Sequence, residues 1–280
     1  MNLRTAIQTV IPGWNGKVCA HVMPWYGDGN VHRNVPYKSN DKYVIAKQLE
    51  LMQSVGIDTV ILTWQGIIPT FQHSTAQEMV VQCGEREMGF MLLLDPWCAN
   101  LPNTTNKTTN VINSLKDPTT QDILNAPAYV PEKYVLDFST GADVTALSNN
   151  FPNLKFLKEN VGFSWPMIPW NADVYKQCNQ LGDMKIPGVC IGFNDAGEPR
   201  ADGSRDYSRS VWGGPTRVLD TQAGNFFNSQ LKTLVNSYEQ SSGPPVNSYR
   251  YVAIVTWNDY DEQSSGPLEA YVTALNGTSF

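Results

Sequence analysis

The chain is poor in charge. Asp, Glu, Lys and Arg supply 16% of its 280 residues, against ~25% in an ordinary soluble domain. The net charge is −6 with no cluster of Lys and Arg, which argues against a polyanionic partner such as nucleic acid. No apolar run reaches the roughly 18 residues that a membrane span requires, so no membrane partner is expected. Residues 1–16 lack the apolar core of a secretory signal. That fits a cytoplasmic chain and equally a secreted one whose leader has been removed. The five cysteines form no C-x-x-C pair, which favours scattered buried thiols over a disulfide framework or a zinc site. The three histidines, His21, His32 and His73, make no H-x-H or H-E-x-x-H pair, so a histidine-based metal hydrolase is not supported. There is no G-x-S-x-G elbow.

What fills the deficit is Asn, Thr, Ser, Gly and aromatics, including eight Trp and twelve Tyr. Apolar runs alternate with helical spacing along the whole chain. Strands are predicted at 17–23, 58–64, 89–95, 133–138, within 154–165, at 186–193 and at 250–257. Helices are predicted from Asp41 to Gly56, over 74–88, around 143–149, near 172–181 and over 216–240. Nearly continuous apolar strands separated by helices imply a parallel sheet covered on both faces. With no linker and no internal repeat, residues 1–280 read as one α/β domain, a (β/α)8-type TIM barrel. Seven strands are legible. The eighth is irregular, within 270–275 or in the N-terminal arm. An open doubly wound sheet is disfavoured, because the first strand runs into Pro24-Trp25-Tyr26 and not into a Gly-rich phosphate turn.

The strand ends share a chemistry. In order they carry His21, Trp25 and Tyr26, then Trp64, then Asp95 and Trp97, then Asp137, Trp165, Asn194 and Asp195, and finally Trp257 and Asn258. In a barrel these ends converge on one face, where loops build the site. A rim of rings, amides and carboxylates with almost no Lys suits a neutral polyhydroxylated ligand. Each Trp taken alone also reads as core filler.

The densest stretch is Thr256-Trp257-Asn258-Asp259-Tyr260-Asp261-Glu262, directly after the aliphatic run 251–255. Two carboxylates beside a Trp and an Asn are the residue types that glycosidic cleavage uses: one protonates the leaving oxygen, the other activates a nucleophile. The same residues also read as a solvated acidic turn.

Three segments resemble glycoside hydrolase families 71 and 99, related α/β-barrel enzymes acting on α-linked polysaccharides. Ala20-His21-Val22-Met23-Pro24-Trp25-Tyr26-Gly27 is similar to the "A-H-x-M" start of family 71 and the "Y-P-W-Y-G" start of family 99. The unit from Leu51 through Gly56-Ile57-Asp58 to Trp64 is similar to their "M-x-x-A-G-I-D…S-W" helix and strand. Trp257-Asn258-Asp259-Tyr260-Asp261-Glu262 resembles "W-N-D-Y-G-E" of family 71 and "W-N-E-W-x-E" of family 99. The order holds from about residue 18 to 270. The resemblance implies that Asp259 and Glu262 are the catalytic pair, with Glu262 as general acid. Asp259 then either deprotonates the sugar 2-hydroxyl, as in family 99, or activates water, as in family 71.

The residues read as a glycosidase site, and the resemblance implies an endo-acting hydrolase of an α-glucan or α-mannan, expected to work without a metal or organic cofactor. Its candidate binding residues are the strand-end set above, apart from Trp165. Two rivals remain: a catalytically silent carbohydrate-binding barrel, and a lyase or aldolase that uses Lys158 as a Schiff-base amine.

Overall fold

Aliphatic runs bounded by Gly, Asn and Asp become the strands of a parallel sheet, and the amphipathic stretches between them cover it. The computed structural model describes residues 2–27, 37–68, 70–100, 105–159, 161–163, 185–190, 193–194, 218–219, 225–239 and 249–258. In chain order these hold α1 (Leu3–Val10), β1 (Lys17–Val22), α2 (Lys42–Ser54), β2 (Thr59–Trp64), α3 (Thr70–Glu85) and β3 (Gly89–Leu94). After a single 3₁₀ turn come α4 (Lys107–Lys116), α5 (Pro118–Asn125), β4 (Tyr134–Asp137), α6 (Val144–Asn150) and β5 (Lys155–Lys158). The last are β6 (Gly188–Cys190), β7 (Phe193–Asn194), β8 (Val218–Leu219), α7 (Asn225–Glu239) and β9 (Tyr251–Val255).

Helix starts follow local chemistry. The side chains of Asn2, Asp41, Asn106, Asp117 and Asp143 each accept a backbone N–H of the first turn that follows them, replacing bonds the helix cannot supply to itself. Gly56 closes the α2 turn at φ +86°, a conformation glycine adopts without steric cost.

Seven strands form one parallel sheet in the order β5-β4-β3-β2-β1-β9-β6, and β7 pairs antiparallel with β8 in a separate two-stranded sheet. The sheet is strongly curled, into a half-barrel. β4 and β9 lie four places apart in that order, which in a flat sheet is about 19 Å at ~4.8 Å per strand. Yet the rings of Tyr134 and Tyr251 meet edge to face with centroids 6.2 Å apart. The Tyr251 hydroxyl also donates to Glu132 Oε2 at 2.5 Å. Both contacts span the hollow of the sheet, so Tyr134 and Tyr251 mark its concave face.

Alternation and register carry that face along the other strands. Lys17 pairs with Tyr251, Cys19 with Thr59 and His21 with Ile61, so Cys19 and His21 are concave. Tyr134, Leu136 and Leu157 are concave as well, whereas Trp64, Leu94, Asp137 and Lys158 share the convex face. Between the two edges of the sheet, Phe163 makes single parallel bridges, one to Glu159 and one to Ile186.

Two predictions need correction. The N-terminal arm is no strand: it forms α1, whose Leu3 and Ile7 are buried in the core. Leu3, Ala6, Ile7 and Val10 fall at helical spacing, but over only two turns and with no acidic residue in the first turn to mark a helix start. The helix expected over 216–240 begins at Asn225, because Val218 and Leu219 are drawn into the two-residue pairing with Asn194 and Phe193. The predicted helix near 172–181, the irregular loop 195–215 and the candidate strand at 270–275 lie outside the described residues.

Candidate functional site

The C-terminal ends of β1 and β9 are locked together by one side chain. Asn258 accepts the Met23 N–H at 2.7 Å through Oδ1 and donates to the Met23 carbonyl at 3.0 Å through Nδ2. One residue earlier, the Trp257 N–H donates to the His21 carbonyl at 2.8 Å. The amide of Asn258 thus continues the parallel ladder where the main chain leaves it. Asn258 is 1% exposed and Met23 3%, so the clamp is dry. As a predicted sugar ligand, Asn258 is better described as a brace, since both ends of its amide are engaged on Met23. Asp259 and Glu262, the predicted catalytic pair, follow at once and lie outside the described residues, as do Asp195 and Trp165. Asn194 is described in its backbone only.

β1 leads into a loop held from the far side. The Tyr26 N–H donates to Ser39 Oγ at 3.1 Å and the Ser39 N–H donates back to the Tyr26 carbonyl at 2.8 Å. Trp25 and Tyr26 meet edge to face at 6.3 Å, and both are buried. Gly27 has φ +90°, and a Cβ there would sit 2.8 Å from Lys38 Cα. Only glycine lets the chain pass Lys38 so closely.

His21 is fully buried on the concave face, and burial pushes its pKa down to about 3. It is therefore a neutral imidazole at any working pH, suited to hydrogen bonding rather than to supplying protons. Above it on the same face, Thr63 donates to the Met23 sulfur at 3.3 Å.

The four described tryptophans at strand ends separate by position. Trp97 is 65% exposed, in the 3₁₀ turn Pro96–Ala99 that follows β3. Asp95 starts that turn by accepting the Trp97 N–H at 2.9 Å. Trp64 is fully buried on the convex face, and its indole N–H donates to His73 Nδ1 on α3 at 3.2 Å. That bond leaves the proton on Nε2, which faces Thr119 Oγ1 at 2.8 Å, and the Thr119 hydroxyl donates in turn to Asp117. Trp64 thus packs between sheet and helices without an open face, which corrects its reading as a stacking ring. Trp25 and Trp257 are likewise covered.

Asp137 also departs from expectation. It lies on the convex face, 2% exposed, and its Oδ1 accepts the Thr140 hydroxyl at 2.5 Å and the Thr140 N–H at 3.3 Å. Its carboxylate holds the turn after β4. Lys158 is exposed on the same convex face, away from the hollow where a Schiff-base amine would have to meet its substrate. The lyase reading loses its residue.

Sequence reasoning passed over Glu159. It extends the β5 ladder by donating its N–H to the Asp137 carbonyl at 3.2 Å, and alternation from Leu157 places it on the concave face. Ser139 Oγ donates to Glu159 Oε2 at 2.8 Å, and burial raises the pKa of this carboxyl. The strand-end pattern could have found it, one residue past an apolar run, had β5 been delimited. At the opposite, N-terminal end of the strands a cavity of ≈ 300 Å³ is lined by Lys17, Gly89, Tyr129 and Tyr251 among others. That end of such sheets serves stability rather than chemistry. The thiols of Cys19, Cys83 and Cys98 are buried and free, with pKa values raised by burial, that of Cys83 to about 12.

No protein-family profile matches the sequence, and no curated protein matches it. Solved structures do match. The GH99 endo-α-mannosidase from Bacteroides thetaiotaomicron superposes with a TM-score of 0.60 at 13% identity, over 90% of this chain and 87% of that one. The same enzyme in complex with bis-tris-propane gives 0.57 at 14% identity, over 90% and 86%. At such identities the likeness is one of fold: the chain shares the architecture of a family 99 glycoside hydrolase across nearly its whole length.

Proposed function

We propose that this chain is a glycoside hydrolase that cleaves internal α-linkages of a polysaccharide, an α-glucan or α-mannan, with Asp259 and Glu262 as its carboxylate pair. The observation that carries the reading is the Asn258 clamp. It fixes the end of β9 against β1 at the C-terminal end of the sheet, one residue before Asp259. The acidic segment therefore departs from the end where α/β-barrel sites are built. The fold shared with an endo-α-mannosidase supports the same reading.

In this account Glu262 protonates the glycosidic oxygen as the bond breaks. Asp259 stays ionised and removes a proton either from the sugar 2-hydroxyl or from water. The exposed ring of Trp97 offers a face for a sugar to stack on. His21, neutral and buried, supports the floor without titrating. We read the curled sheet as a closed barrel of eight positions, the eighth reduced to Phe163, whose bridges to Glu159 and Ile186 support closure.

The test is reducing-end release from a panel of α-glucans and α-mannans, with the product anomer followed by proton NMR. Net retention points to the 2-hydroxyl route and inversion to activated water. Oligosaccharide binding with no release from any member would favour the silent binding barrel instead.

A further inference from the structure

We propose that Glu159 is a substrate-contacting residue, whose carboxyl group hydrogen-bonds a hydroxyl of the sugar seated at the C-terminal mouth of the sheet. The inference rests on the glycosidase reading and adds a residue to its site.

Four observations lead there. Glu159 stands one residue past the C-terminal end of β5, on the concave face it shares with Leu157 and Tyr134. It is half-buried, and no basic residue pairs with it among the described residues. A carboxyl in that state is commonly found where it has a ligand to meet. It is also held ready. Ser139 occupies Oε2 at 2.8 Å, and Ser139 has φ +54°, a left-handed conformation uncommon for a residue with a side chain and frequent at functional sites. Oε1 has no partner among the described residues.

A polyhydroxylated ring supplies hydroxyl partners for such a carboxyl. Burial and the nearby Asp137 raise the Glu159 pKa, against the lowering effect of the Ser139 hydrogen bond.

The test uses the full chain with Glu159→Ala, Glu159→Gln and Ser139→Ala, on the polysaccharide that the wild type cleaves, and calorimetric binding of an oligosaccharide released from it. Losing a hydrogen bond of this kind should raise KM and Kd about 10-fold or more in Glu159→Ala. kcat should change much less and the melting temperature little. Glu159→Gln keeps a donor and an acceptor and should restore most of the affinity, and Ser139→Ala should raise KM only a few-fold. Unchanged KM and Kd in Glu159→Ala, beside an active wild type, overturn this assignment alone. So does a loss of melting temperature common to Ala and Gln with affinity intact. A wild type that neither binds nor cleaves any α-glycan overturns the glycosidase reading, and this assignment with it.

Discussion

Asn258 grips Met23 by both polar atoms of its backbone, at 2.7 and 3.0 Å, so a side chain of one strand's end does the work of a further ladder rung. Removing it orphans a buried N–H and a buried carbonyl at once. Each orphan costs roughly 1–3 kcal/mol. We therefore expect Asn258→Ala to lose about 2–5 kcal/mol in urea unfolding. Asn258→Asp should fare no better, because a second oxygen would face the Met23 carbonyl. Full stability with a raised KM would instead make Asn258 a substrate ligand.

The tryptophans should divide along the line that exposure draws. Trp97→Ala is expected to weaken oligosaccharide binding in calorimetry while moving the melting temperature little, because its ring is 65% exposed. Trp64→Ala should cost about 3–5 kcal/mol through the cavity it leaves. Trp64→Phe should cost less, losing chiefly the bond to His73 Nδ1. Equal effects of Trp97→Ala and Trp64→Ala on stability would contradict this division.

Much of this was readable in the sequence, and the exceptions have physical causes. β1, β2, β3 and β9 are aliphatic runs that the sheet buries on both faces, so their limits show without any periodicity. Asp41 and Gly56 bracket α2 because a cap and a left-handed turn need those residue types. Facing direction was harder to read. Trp64 and Asp137 stand at strand ends as expected, but side-chain alternation turns both to the convex face, and Lys158 with them. A strand end identifies a position along the barrel axis, and the face follows only from register. Glu159 was missed for the same reason: its face depends on pairing with β4. Asn258 was recognised as important for its chemistry, while its engagement with Met23, 235 residues away, is a tertiary contact that no local pattern encodes.

His21 predicts an acid-side loss of stability. Its folded pKa, about 3, lies below the ordinary value of 6.5, so between those values the unfolded chain binds a proton that the folded chain refuses. Stability should fall as pH drops through that window, by up to about 1.4 kcal/mol per pH unit from this group. Glu159, with its pKa raised, acts in the opposite sense. Its folded form takes up a proton first, which favours folding as pH falls through its own range. Urea unfolding of wild type and His21→Asn from pH 7.5 to 4 checks the sign. The variant should show the shallower acid slope, and parallel slopes would mean that His21 does not carry the effect.

The most direct measurement is turnover of a good α-linked polysaccharide by the wild type, Asp259→Asn and Glu262→Gln, each verified as folded by circular dichroism. A catalytic pair should lose at least ~10²-fold in kcat when either member is neutralised. The Glu262→Gln loss should shrink on aryl glycosides, whose leaving groups need little protonation. Wild-type release of oligosaccharides with both variants nearly inert is the predicted result. Near-normal turnover by either variant, or a wild type inert on every α-glucan and α-mannan, would contradict the account.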